Sequence, residues 1–309
     1  MYDFIDSYIK DKKITHILNN HIYGFIHYLK KTSRLKGEEK EINRKTLYLH
    51  IKYVELFDKF LYYSYPSMKL DEINENTINE YKQFCLRGLK NNNKTLNKKL
   101  NVLNKFFGYL TKYKNLYSYN IMLNVEYEKN EEEHKPTIFT TSNLKLLFDT
   151  MRDYIYGQRD IVISKLILET GMLTRNILDI KIDQLSKTDK TIIMKSKSNM
   201  PTLYKLSNTL YEELNDYLKL RDLLDVNCSP YLFLSKRGNK YSIRSYQLFF
   251  AEAIRRCDFA STYTPRHLRS TFMYNISKLV SEERLKEITS QNKVKHYYEL
   301  NDNPLRNIK

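Results

Sequence analysis

The chain has 309 residues, enough for two domains of ordinary size, each with its own core. Its 52 Lys and Arg against 36 Asp and Glu leave a formal charge of +16, a surplus that suits a polyanion such as nucleic acid but that an AT-rich genome, inflating Lys, Asn, Ile and Tyr, also produces. Cys85, Cys228 and Cys257 are isolated, which argues against a disulfide framework or cysteine zinc site, and no run approaches the roughly twenty apolar residues of a membrane span, nor does Met1 to Asp11 carry a cleavable leader, so a reduced, cytoplasmic protein is expected.

From Asp3 to Lys30 apolar residues recur at irregular helical spacing, and a charged stretch from Lys31 to Lys45 follows; together they read as an N-terminal helical extension. Helices are expected over Thr46 to Tyr63 and Asn74 to Leu89, the second with Ile78, Tyr81 and Phe84 or Cys85 on one face, and Asn91 to Asn93 supply a turn. In the next helix Leu96, Leu100, Leu103, Phe107 and Leu110 step by four, three, four and three, so one stripe faces a core. Lys94, Lys98, Lys99, Lys105 and Lys112 occupy much of the remaining circumference, as a solvated face or as one that tracks phosphates. The acidic run Glu126 to Pro136 has no apolar period and ends in a proline, which makes it the interdomain linker.

The second half alternates element types. Thr141 or Ser142 caps a short helix, and an apolar helix from Asp160 to Glu169 ends at Thr170-Gly171. Three short strands, over IKIDQL, TIIMKSK and TLYKL, form a small antiparallel sheet, after which Ser207 caps a long helix. SPYLFLSKRGN reads as an extended element and basic turn, and helices follow from Ser242. The expected fold is mainly α with a small antiparallel sheet, in two domains: a helical domain with its extension over residues 1–130 and a mixed α+β domain over 137–309.

No glycine-rich phosphate loop, no helical metal-ligand cluster and no nucleophile elbow is present, so no cofactor or metal is expected. What remains is TPRHLRSTF, where Pro265 can start a helix that puts Arg266 and Arg269 on one face. Two guanidiniums so placed can grip a phosphate, each through two parallel hydrogen bonds that a lysine cannot make.

TPRHLRSTF resembles the box of the tyrosine recombinase (phage integrase) family, a basic residue, two residues, then Arg and a polar-Thr-Phe stretch. RDIVISKLILETGMLTRNILDIKIDQL looks like that family's first catalytic segment, SKTDKTIIMKSKSNMPTLYKLS like its β-hairpin with a lysine between small residues, and SPYLFLSKRGNKYS like the segment before the box. KLDEINENTINEYKQF and KTLNKKLNVLNKFFGYLTKY are similar to the second half of its core-binding domain, and ITSQNKVKHYYELND to a compressed closing segment. The resemblance covers about residues 46 to 300, with the motifs in family order.

It implies a site-specific recombinase or integrase that cuts and rejoins DNA by metal-free phosphoryl transfer through a 3′-phosphotyrosyl intermediate. Its partners would be double-stranded DNA and three further copies of the chain, with the tail NDNPLRNIK reaching a neighbour and the two domains clamping the duplex. By position, Arg269 is the second clamp arginine, Arg266 stands for the usual histidine and Lys197 is the general acid. Leu173 occupies the first arginine's place, with Arg175 two residues on as its substitute, and Gln291 stands where a histidine is expected, with His296 nearby to hydrogen-bond the phosphate. Tyr297 and Tyr298 are both candidate nucleophiles; an apolar residue three positions later favours Tyr297, whereas Tyr298 better preserves the spacing. Lys94, Lys98, Lys99 and Lys105 are the expected DNA-binding lysines of the first domain. A DNA-binding protein of the same fold that has lost cleavage, or a type IB topoisomerase-like enzyme, stays open beside the active recombinase.

Overall fold

The structure is a computed structural model that describes residues 14–35, 42–129, 136–195, 201–225, 228–260, 262–289, 291 and 293–301. They group into two compact units, Met1–Glu133 and His134–Lys309.

The first unit is helical. Its helices are α1 (Asn19–Leu35), α2 (Arg44–Ser64), α3 (Glu75–Gln83) and α4 (Asn93–Lys114). Side-chain caps start three of them: Asn43 accepts from Lys45 N, Asn74 from Asn76 N and Thr77 N, and Asn92 from Thr95 N. The helix expected over Asn74 to Leu89 changes character at Phe84–Gly88, a π turn closed by Leu89 N donating to the Phe84 carbonyl; of the turn expected at Asn91 to Asn93, Asn92 is the cap of α4 and Asn93 its first residue. On α4 the apolar stripe is wholly buried, and Phe106 and Tyr109 widen it because α1, α2 and the π turn all pack there. Gly24 of α1 has no room for a side chain, since a Cβ would meet the Tyr109 hydroxyl. Asp58, buried on α2, accepts from the backbone N–H groups of His16 and Leu18 and so fixes the entry to α1.

The linker is less free than its sequence suggests. Lys82 Nζ donates to the Glu126 carbonyl at 2.5 Å, Asn97 exchanges two hydrogen bonds with the Glu128 backbone at 2.7 and 3.1 Å, and Asn93 donates to the Lys129 carbonyl at 2.7 Å. Residues 126–129 are therefore strapped along the start of α4.

In the second unit, α5 (Thr141–Arg152) is followed by α6 (Gly157–Thr170) and the short α7 (Thr174–Leu178). Thr140, one residue before the expected caps, is the one that caps α5, accepting from Asn143 N. The central helix is α6, buried almost all round through Ile161, Val162, Ile163, Leu166 and Ile167, and α5, α7, the long α8 (Asn208–Leu224) and α10 (Pro265–Ser277) pack around it. In its first turn Arg159 and Asp160 form a buried ion pair at 2.7 Å, with the Arg159 guanidinium over the Tyr241 ring.

The sheet has the antiparallel order β1 (Leu185–Ser186), β2 (Thr191–Lys195), β3 (Pro201–Lys205), with Ile192 opposite Tyr204. The first expected strand, IKIDQL, is mostly something else. A 3₁₀ turn at Ile182–Gln184 leaves only Leu185 to join β2, while Ile180 and Ile182 bond instead to Leu232 and Pro230 of the SPYLF stretch. Ser207 caps α8 and Ser242 caps α9 (Ile243–Arg256). The chain then runs through α10, α11 (Glu282–Thr289) and α12 (Lys295–Asn301), the last two packing on α10 through a small separate core of Phe272, Met273, Leu285, Val294 and Tyr297.

Candidate active site

The box TPRHLRSTF forms the first turns of α10, with Pro265 at its first position, where the missing N–H is no loss. His267 is spent locally: its Nδ1 accepts from Thr264 N at 3.1 Å, closing a capping box, and burial followed by the Arg266 charge lowers its pKa. Thr271 is buried, donates to the His267 carbonyl and accepts from Phe139 N at 2.9 Å, which ties the chain entering α5 to α10. Phe272 lies against Gly171, whose φ of +63° ends α6; a Cβ there would run into the ring. The box is thus joined directly to the helix end in the middle of the RDIVISKLILETGMLTRNILDIKIDQL segment.

Arg269 is half-buried beside this junction. Its Nη2 donates to the Thr289 carbonyl at the end of α11 at 2.8 Å, while its Nε is buried and has no partner among the described residues. Burial lowers its pKa; Tyr297 and Tyr204 are near enough to act in the opposite direction, and Arg266 adds to the lowering. An arginine keeps its charge under such conditions, so a fixed cation with an unspent donor stands between α10, α11 and α12. Arg266, one turn earlier, is exposed.

The two tyrosines separate clearly. Tyr297 is 6% exposed, packs in the small core, and directs its hydroxyl to Ser270 Oγ at 3.4 Å, next to Arg269. Tyr298 donates instead to the Val280 carbonyl at 3.0 Å, and its pKa is raised by burial and then by Glu282 and Glu283. The His296 ring lies 4.1 Å, centroid to centroid, from that of Tyr297. Gln291 is half-buried in the connection between α11 and α12.

The other expected residues are not drawn in to the same degree. Leu173 is 44% exposed at the start of α7, and Arg175 is exposed on that helix with no ion pair among the described residues. Lys197 falls between β2 and β3, outside the described residues. In the first unit Lys94, Lys98 and Lys105 are exposed, Lys105 lying 3.2 Å from His50 Nε2. Lys99 is a correction: at 4% exposure it is a core residue, its Nζ donating to Asn91 Oδ1 at 2.7 Å and lying 3.6 Å from Cys85 Sγ. It sits three residues after Leu96 and four before Leu103, on the apolar stripe itself, so it has no face to offer a phosphate.

Ser270 and Thr289 were not singled out from sequence. Ser270 is one polar residue among many, 27 positions from the tyrosine it meets, and the Thr289 contact is made by a backbone carbonyl, which has no sequence signal.

The sequence model of the phage integrase family matches residues 137–303. The chain belongs to that family. Relatives include tyrosine recombinase XerC of Caldanaerobacter subterraneus subsp. tengcongensis, 25% identical over 209 residues that make up 66% of this chain and 58% of the relative. XerC of Bacillus licheniformis is 24% identical, covering 82% of each chain. The chain thus spans little more than half the length of the first of these. Among solved structures, a XerH site-specific recombinase bound to palindromic difH substrate superposes with a TM-score of 0.69 at 16% identity, covering 96% of this chain and 97% of the other. A lambda integrase dimer bound to a COC′ core site gives 0.66 at 13%, covering 88% and 95%. These likenesses show the integrase fold.

Proposed function

We propose that the protein is a site-specific DNA recombinase that cuts and rejoins strands through a 3′-phosphotyrosyl intermediate without a metal ion, with Tyr297 as nucleophile. What supports the choice is the position of the Tyr297 hydroxyl, turned to the helix that carries Arg269, while that of Tyr298 is turned away to a backbone carbonyl. In this reaction the phenolic oxygen releases its proton to water and attacks phosphorus as the bond to the 5′-oxygen breaks, the leaving oxygen taking a proton from Lys197. A 5′-hydroxyl from a partner strand then reverses the step. Negative charge gathers on the non-bridging oxygens of the transition state, which Arg269 stabilises with its unspent Nε–H and Arg266 with its exposed charge. Double-stranded DNA is the substrate, and a tetramer on two paired sites is the working assembly.

The test is trapping of a covalent adduct on nicked duplexes drawn from DNA flanking the gene, read on denaturing gels. Wild type and Tyr298→Phe are expected to form the adduct and Tyr297→Phe to lose it. The non-cleaving reading is favoured by Leu173, an exposed apolar residue in the place of an arginine, and it predicts tight duplex binding with no adduct from any of the three proteins.

A further inference from the structure

Two neighbours on α10 divide the work of the site. Arg269, bonded to the Thr289 carbonyl, carries the phosphate-gripping role proposed above, and the next residue, Ser270, is the one that meets the Tyr297 hydroxyl. Ser270 is 7% exposed, and its own hydroxyl leans back to the Arg266 carbonyl at 3.5 Å, the usual direction for a helical serine bonded four residues back. The polarity of this arrangement matters. A phenol that attacks phosphorus must present a lone pair, and a phenol that donates its proton to Ser270 Oγ leaves its lone pairs free to point elsewhere. At 3.4 Å the contact is long for O–H···O, as hydrogen bonds at unliganded catalytic sites often are before substrate tightens them.

We propose that Ser270 is the positioning residue for the nucleophile: its hydroxyl receives the Tyr297 phenol and sets the direction of the attacking oxygen relative to the phosphate held by Arg269. Because Ser270 and Arg269 are consecutive on one rigid helix, the attacking atom and the charge that stabilises the transition state are referenced to the same element. The proposal rests on the recombinase reading for its kinetic consequence, though not for the contact between the two hydroxyls.

Two measurements test it on the full chain. In single-turnover cleavage of a nicked duplex at saturating DNA, Ser270→Ala is expected to slow adduct formation about tenfold or more with duplex affinity unchanged, since orientation losses appear in the chemical step. Ser270→Thr, which restores the hydroxyl, is expected to recover most of the rate, with thermal melts confirming that both variants fold. In parallel, spectra of protein carrying ¹³Cζ-tyrosine, with the Tyr297 signal assigned from Tyr297→Phe, are expected to show that Ser270→Ala shifts the Tyr297 resonance and leaves that of Tyr298 in place. A wild-type rate in Ser270→Ala, or an unmoved Tyr297 resonance, overturns the proposal. A shifted resonance in a protein that never forms an adduct overturns the recombinase reading and leaves the Ser270 contact standing.

Discussion

Arg269 is held by a carbonyl on one side and has, among the described residues, an unspent donor on the other, which suits a residue whose main interaction forms only with substrate. Arg269→Ala is therefore expected to reduce strand cleavage by about 10²–10³-fold, the scale for losing a preorganised donor, while duplex affinity stays nearly intact. Equal loss of both, compared by adduct trapping and fluorescence anisotropy, would remove its catalytic role. Asp160 yields a pH prediction. Burial, only partly offset by Arg159, raises its pKa from 3.8 to about 6, so in that window the folded state binds a proton that the unfolded state has released. Its contribution to stability is full below the unfolded value and is lost as pH rises through the folded one. Urea denaturation should show the stability of wild type relative to Asp160→Asn falling by about 2 kcal/mol between about pH 4 and pH 6.5; a flat difference would mean that the carboxylate is already ionised in the fold.

Among the elements, α4 shows what a helical pattern can and cannot give. Its five apolar positions were legible because deletion of any one would open a hole in a stripe with a fixed period, and all five are buried. Lys99 was misread as surface by residue type, although its spacing from Leu96 and Leu103 put it on the same stripe. Lys99→Met, which keeps the aliphatic stem, should leave duplex affinity unchanged, whereas Lys94→Ala with Lys98→Ala should weaken binding and lower the slope of log K against log salt by about two. Anisotropy titrations across salt decide this, and a loss in Lys99→Met equal to that of the double variant would restore the original assignment. The strand expected over IKIDQL failed for a different reason. Its alternation was real, but the partner that satisfied Ile180 and Ile182 was a segment about fifty residues away, which local periodicity cannot select over the adjacent hairpin. In the same way the order of motifs pointed to α10 and α12, while telling the surroundings of the Tyr297 and Tyr298 hydroxyls apart required the fold, because adjacent residues on a helix point about 100° apart.

At the scale of the whole molecule, the charge of +16 predicts binding that falls steeply with salt, because each phosphate neutralised releases counterions. Between about 50 and 200 mM salt a protein making several phosphate contacts loses on the order of 10³-fold in affinity or more, and a flat titration would assign the surplus to base composition. The division of labour inside TPRHLRSTF reaches further. Thr271 and Phe272 serve the scaffold: one anchors the chain at Phe139, and the other closes on Gly171 and packs in the small core with Tyr297, so both are requirements of folding. A descendant released from selection for strand cleavage would lose the exposed Arg266 at little cost to packing and still have to keep this pair to remain a folded protein. The Thr-Phe tail of the box is thus expected to outlive the reaction as a mark of ancestry, persisting in decayed copies after exposed positions of the same box have drifted.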